Sequence, residues 1–424
     1  MQGRQITRQI IAIIAISAAS SLALAGCGAP TTGSASGDST PIRIGALFPT
    51  SGALATLGQV SLDGAKIAVA MTNAGGGIDG RKIELVTGDA STAATAVSEA
   101  TRLTTKDGVK IVMGTYASDL SKAASGAAIR NGAFYWETDA ISDDLTARGL
   151  SNFFQFPYTA SANGANAANM IKDLVNPVLG HPAKVVIVHN DSSYGALVAS
   201  GAEKQAKANG LDVLGNFAYP TATTDQSSLA LRIQQANPDA VIASSYQNDA
   251  VLLQNALRQQ NVNLAAFVGT GGIYGLGDFA KALGGAVNGL LDTEGSANIP
   301  DDALTPDAQA LRKKFFAEWE KDHDGAPGFL GTIAFDATWV LLHNVIANAK
   351  SVEPAGLRTA ALALDLPAGS TILGYGVKFT DKGINERASV IGDQWQDGKL
   401  VVVYPKKFAT GSAIDIPLRP WSER

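Results

Sequence analysis

Four carboxylates, Glu137, Asp139, Asp143 and Asp144, follow at once on the apolar run Ala133-Phe134-Tyr135-Trp136 in AFYWETDAISDDLTARG. Acids at the end of a strand suit several kinds of chemistry. Neighbouring carboxylates drive one pKa up and the other down, so Glu137 and Asp139 could serve as general acid and base. Alternation along a strand points residues two apart to one face, which would bring both acids to the same cleft. A carboxylate cluster also suits calcium, but ETDAISDD lacks the D-x-[DN]-x-[DN]-G loop pattern. The remaining uses are one wall of a ligand pocket for Glu137 and Asp139, and a helix N-cap ahead of LTARG for Asp143 and Asp144.

Other catalytic signals are weak. There is no Gly-x-Ser-x-Gly elbow, and the four histidines, His181, His189, His323 and His343, are dispersed, so neither a nucleophile with its base nor a zinc site has the required spacing. His189 ends the strand-like run KVVIVHND, where open α/β sheets place ligands, but a lone histidine there reads more readily as a loop or wall residue. The run Gly275-Leu-Gly277-Asp-Phe-Ala280, with Asp292 beyond it, imitates a dinucleotide fingerprint. Its glycines do not follow the strand AAFVGT directly, so they read better as a close backbone approach to a small ligand. Lys and Arg, 33 against 38 acids, form no basic stripe, which argues against a nucleic-acid partner.

The elements that must hold these residues are legible in the hydrophobic pattern. From Pro41 the chain alternates short apolar runs with longer helical ones: IRIGALF, SLDGAKIAVAMTNA, KIELVTGD, TAVSEATRLTTKD, VKIVMGT and AFYWET. This is the βαβ rhythm of a doubly wound parallel sheet, whose buried strands read as continuous apolar runs. A second series begins at Lys184 with KVVIVHND and runs to AAFVGT near residue 270. The tail predicts helices over Asp307 to Asp322, Phe335 to Ala349 and Pro354 to Leu364, then hairpin-like strands in VKFTDKG and ASVIGDQWQDGKLVVVYP. These pieces read as completing the two lobes by crossing back between them. The fold class is therefore α/β, with two Rossmann-like lobes joined by a multi-strand hinge. The division predicted is residues 41–159 with 295–376 in lobe 1, 160–294 with 377–405 in lobe 2, and 406–424 as a C-terminal tail.

Ahead of the lobes, residues 1–26 read as a targeting segment, with Arg4 and Arg8 before an apolar stretch. That stretch ends in Leu24-Ala25-Gly26-Cys27, which resembles a bacterial lipobox and makes Cys27, the single cysteine, a lipidation site. Residues 27–40, small and polar, read as a flexible tether. No later apolar run is expected to span a bilayer, so the protein is expected outside the cytoplasm, held to the membrane by its lipid.

The stretch IRIGALFPTSGALATLGQVSLDGAKIAVAMTNAGGGIDGRKIELVTGD resembles the opening of the leucine/isoleucine/valine-binding branch of type I periplasmic binding proteins, the solute receptors of ABC importers. The likeness returns in SDDLTARGLSNFFQFPYTAS, HNDSSYGALVASGAEKQAKANG, FVGTGGIYG, AFDATWVLLHNVI and VIGDQWQDGKLVVVYP. It implies a cleft that closes around a small-molecule solute, followed by docking on an ABC permease and its ATPase, by a monomer that needs no cofactor or metal. Lobe closure is driven by the ligand's preference for the closed state.

The resemblance also implies site residues. The solute carboxylate would meet the loop Tyr116, Ala117, Ser118, where a helix N-terminus favours an anion. The next loop offers Asp139 and Ala140 beside Trp136 and Glu137. Asp139 and Ile141 stand where amino-acid receptors tend to carry Ala and Thr. Tyr194 and Tyr246 match the aromatic wall of the second lobe, and Leu57 occupies a position that often holds an aromatic residue. The acid that meets an amino group would fall on or beside Gly271, and no acid is present there. Two solute classes therefore stay open: an amino acid or related amide, with Asp139 or Glu137 replacing the missing acid, and an aromatic acid or nucleobase-like compound stacked among Tyr116, Trp136, Tyr194 and Tyr246. An extracytoplasmic enzyme using Glu137 and Asp139, and a sensor signalling to a membrane kinase, are the readings from other classes.

Overall fold

The computed structural model describes residues 40–295 and 298–424. Cys27, the leader and nearly all of the tether therefore lie outside the described residues.

Up to Gln155 the strands alternate with α-helices: β1 (Ile42–Phe48), α1 (Ala55–Ala74), β2 (Ile83–Asp89), α2 (Ala93–Thr105), β3 (Ile111–Met113), α3 (Ser118–Arg130), β4 (Phe134–Glu137), α4 (Asp144–Ala147) and β5 (Phe153–Gln155). The strands form one parallel sheet in the order β2-β1-β3-β4-β5. Burial on both faces explains the continuous apolar runs: Ile44, Ile111, Phe134 and Trp136 are fully enclosed.

A second series follows: α5 (Ala160–Met170), α6 (Asn176–Leu179), β6 (Lys184–Asn190), α7 (Ser193–Ala208), β7 (Asp212–Tyr219), α8 (Ser227–Ala236), β8 (Ala240–Ser244), α9 (Gln247–Gln259), β9 (Ala266–Thr270), α10 (Gly277–Leu283) and β10 (Leu291–Glu294). The chain then supplies α11 (Pro306–Trp319), α12 (Gly328–Val340), α13 (Ala347–Ala349) and α14 (Pro354–Leu362) before the hairpin β11 (Ile391–Gln396) and β12 (Lys399–Tyr404). The second sheet runs β12-β11-β10-β9-β8-β6-β7. It is parallel from β10 to β7 and antiparallel across β11 and β12. Asp397 and Gly398, both at positive φ, make the tight turn of that hairpin. Helix starts carry side-chain caps where the sequence offers a hydroxyl: Thr92, Thr159, Ser192 and Thr305 accept from first-turn N–H groups.

Helices α11, α12 and α14 return to the first sheet, with α12 packed along α1 and α14 reaching β4. Where α1 crosses α12 there is no room for a side chain, since a Cβ on Gly64 would stand 2.1 Å from the Gly331 carbonyl oxygen. The chain therefore passes between the sheets after β5, after β10 and before β11.

Three expectations differ from the structure. The segment Gly328–Ala349 is long and apolar enough to cross a membrane, yet it is buried as a core helix. Within it Asp336 accepts the Ile372 and Leu373 N–H groups at 3.0 and 2.9 Å. The segment VKFTDKG forms isolated bridges rather than a strand. Conversely, Leu291–Glu294, with two acids in four residues, is a central strand buried throughout.

Candidate functional site

The two sheets present the carboxyl ends of their parallel strands to a common cleft, the position at which open α/β sheets bind ligands. A small cavity of ≈ 30 Å³ lies there. From the first sheet, the loop after β3 brings Tyr116 and Ser118, the loop after β4 brings Asp139 and Ile141, and the segment after β5 brings Tyr158. From the second, Tyr194 stands in the first turn of α7, Tyr246 follows β8, Gly271 and Gly272 follow β9, and Glu294 ends β10. Phe329 and Leu330, at the start of α12, close the side.

Aromatic rings fill most of this space. Tyr246 sits between Tyr116 and Tyr194, with ring centroids 6.1 and 5.6 Å away. Tyr158 stacks on Phe329 at 6.1 Å. Their hydroxyls tie the walls: Tyr194 shares a 2.6 Å hydrogen bond with Thr270 Oγ1, and Tyr116 donates across the cleft to the Gly271 carbonyl at 3.1 Å. A second bridge lies at the rim. Ser193, at the start of α7, pairs with Ser142 Oγ at 2.7 Å, donates its hydroxyl to Asp144 at 3.1 Å and its N–H to Asp119 at 3.3 Å.

Ser118 opens α3, a helix of 13 residues, and its Oγ accepts the Ser142 N–H at 3.2 Å. The hydroxyl proton remains available beside first-turn N–H groups, an arrangement suited to a carboxylate.

The acids of the opening stretch divide. Glu137 is fully buried and accepts from Thr115 N at 3.0 Å, Asp139 N at 3.0 Å, Ala140 N at 2.9 Å and Ser121 Oγ. It fastens two loops of the cleft from behind and does not line the cavity. Burial pushes its carboxyl up to about 7 against the pull of these donors. Asp139 does line the cavity, with Oδ1 accepting from Ser61 at 2.9 Å and Oδ2 from Thr138 at 2.5 Å. Burial, with Glu137 nearby, pushes it up to about 8. Because only one of the two faces the cleft, they do not converge on a solute as an acid and base must.

Trp136 donates its indole N–H to the Ala337 carbonyl at 2.9 Å within the core. Ala117 and Ala140 are also buried behind the surface of the cavity. These three, with Glu137, support the wall that they were expected to form. Leu57 is likewise a core residue. Asp143 stands before α4, but its carboxylate accepts from Ser161 N at 2.9 Å and Ser161 Oγ at 2.5 Å, so it caps the first turn of α5 instead.

Tyr158, Gly272, Glu294, Phe329 and Leu330 were not found from sequence. Tyr158 and Phe329 follow no strand of recognisable length, and Glu294 belongs to a strand too polar to be read as one. At Gly271, φ is +115° and a Cβ would stand 2.5 Å from the Ser245 carbonyl oxygen and 2.6 Å from the Tyr194 hydroxyl. No acidic side chain fits at that position in this closed form.

Known proteins give the same picture. The family model for periplasmic binding proteins matches residues 41–397. A curated relative, Leu/Ile/Val-binding protein homolog 8 of Brucella abortus, is 36% identical over 376 residues, covering 87% of this chain and 91% of that protein. Among solved structures, the branched-chain amino acid transporter substrate binding protein LivJ of Streptococcus pneumoniae, in complex with isoleucine, superposes with a TM-score of 0.73. It is 23% identical and covers 86% of this chain and 100% of its own. A solute binding protein of an ABC transporter from R. palustris, in complex with 4-hydroxybenzoate, gives a TM-score of 0.72 at 20% identity, covering 89% and 98%. With its two lobes and its cleft, this chain belongs to the periplasmic binding protein family, alongside the Leu/Ile/Val-binding homologues.

Proposed function

We propose that the protein is the solute receptor of an ABC importer, tethered outside the cytoplasm by a lipid on Cys27. In this reading a monomer closes its lobes, residues 41–159 with 295–376 and 160–294 with 377–405, around one small solute and delivers it to a permease driven by its ATPase. No bond in the solute is made or broken. The solute class is an amino acid or related amide.

The observation that supports this reading best is the pairing of walls. Ser118 and the start of α3 offer hydroxyl and N–H donors to a carboxylate on one side, while Tyr194 and Tyr246 enclose the body of the solute on the other. A cavity of ≈ 30 Å³ holds little more than a water, so a solute enters only as the lobes part, and closure then encloses it. A second reading, an aromatic acid, draws support from the rings of Tyr158, Tyr246 and Phe329 and from the relative solved with 4-hydroxybenzoate.

A thermal-shift screen against amino acids, amides, nucleobases and aromatic acids separates these readings, because a ligand of the native state raises the melting temperature by mass action. The expected hits are amino acids or their amides. Stabilisation by aromatic acids alone would select the second reading, and enzymatic turnover of the best hit would overturn both.

A further inference from the structure

We propose that Glu294, reaching the cavity from the end of β10, is the specificity residue that takes the ammonium group of the solute. This deepens the amino-acid reading of the cleft and rests on it.

Three carboxyl groups stand in or against the cavity, and only one is placed to receive a cation. Glu137 is held behind the wall by four donors. Asp139 has both oxygens engaged by the hydroxyls of Ser61 and Thr138. Glu294 is 2% exposed and lines the cavity; its carboxyl lies beside Asp292 and the Gly272 N–H, and its Oε2 makes no hydrogen bond of good geometry among the described residues. A buried carboxyl oxygen without a partner is costly, and a solute N–H⁺ would remove that cost.

The neighbouring backbone is cleared for this side chain. A Cβ on Gly275 would stand 2.6 Å from Glu294 Oε1 and 2.9 Å from Asp292 Oδ2. Glycine at that position lets the carboxyl lie against the loop that follows β9. That loop cannot supply an acid of its own at Gly271, where the Tyr194 hydroxyl and the Ser245 carbonyl already occupy the space. A carboxylate directed at this part of the cleft must therefore come from the adjacent strand.

The electrostatics favour a cationic group over a neutral or anionic one. The titratable groups facing Glu294 are Asp292 on its own strand, Asp393 on β11, and the phenols of Tyr116, Tyr158, Tyr194 and Tyr375. None carries positive charge. Burial first, and then Asp292, raise Glu294 well above the usual carboxylate range, which favours its neutral form in the free protein. An ammonium would stabilise its ionised form, and the Asp292–Glu294 pair would release a proton on binding.

The test is calorimetry on the full chain with the common amino acids and, for the tightest, its deaminated carboxylate (for L-leucine, 4-methylpentanoate). Glu294→Gln keeps the shape of the neutral acid, so it should fold. We expect it to lower affinity for the amino acid about 100-fold while changing that for the deaminated acid less than about 3-fold. In the wild type, titrations in phosphate and Tris near pH 7 should show release of about one proton with the amino acid only; this readout stands even if the variant misfolds. Amino-acid binding retained within about 3-fold by Glu294→Gln, or without proton release, would overturn the role of Glu294 and leave the amino-acid reading intact. A wild type that takes 4-hydroxybenzoate or benzoate and no amino acid would overturn the amino-acid reading itself, and this assignment with it.

Discussion

Glu137 and Tyr116 show how differently two residues of one cleft can act. Glu137 gathers four donors from the segments that follow β3 and β4, so Glu137→Ala leaves buried N–H groups unpaired and should cost about 3 kcal/mol or more in urea unfolding. Tyr116 spans the cleft, so Tyr116→Phe should leave the unfolding curve of the free protein nearly unchanged and weaken solute affinity about 5-fold, read by calorimetry. Asp139 was legible from its place at the end of a buried strand, where ligands collect, whereas Tyr116, Ser118, Tyr194, Tyr246 and Gly271 were reached only through the family resemblance. Alternation along β4 says which face a side chain takes but not what lies behind the loop. That is why Trp136 and Glu137 were expected in the pocket and are found supporting it.

At the scale of elements, the βαβ rhythm placed β1 to β4 and β6 to β9 from apolar runs alone. β10 escaped because its residues, Leu-Asp-Thr-Glu, are too few and too polar to read as a buried strand, and its antiparallel partner β11 lies far off in sequence. The contact between α1 and α12 depends on backbone approach, and Gly64→Ala would force them apart. It should lower stability by about 1–3 kcal/mol in the same unfolding assay. The rim bridge belongs to closure and not to either lobe. Removing both acids at Ser193, in Asp119→Ala with Asp144→Ala, should speed solute release about 10-fold, measured by stopped flow, while the association rate changes little.

For the whole molecule, buried carboxyls set the pH response. Burial pushes Asp139 and Asp292 up to about 8 and Glu137 and Asp336 up to about 7. The same groups ionise near about pH 4 in the unfolded chain. The folded state therefore holds more protons between these limits, so the stability they contribute is fully present below about pH 4 and is lost as pH rises towards about 8. The melting temperature of the free protein should fall by about 3 °C or more between about pH 5.5 and 8.5. A flat or rising profile would show that these carboxyls are ionised throughout.

Closure of two lobes on one unaltered solute is tested by calorimetric titration of the full chain, with the bound solute then released and identified. Saturable binding of one amino acid or amide per chain is expected, with that solute recovered unchanged. No saturable binding by any amino acid, amide or aromatic acid, or recovery of a chemically altered product, would contradict it.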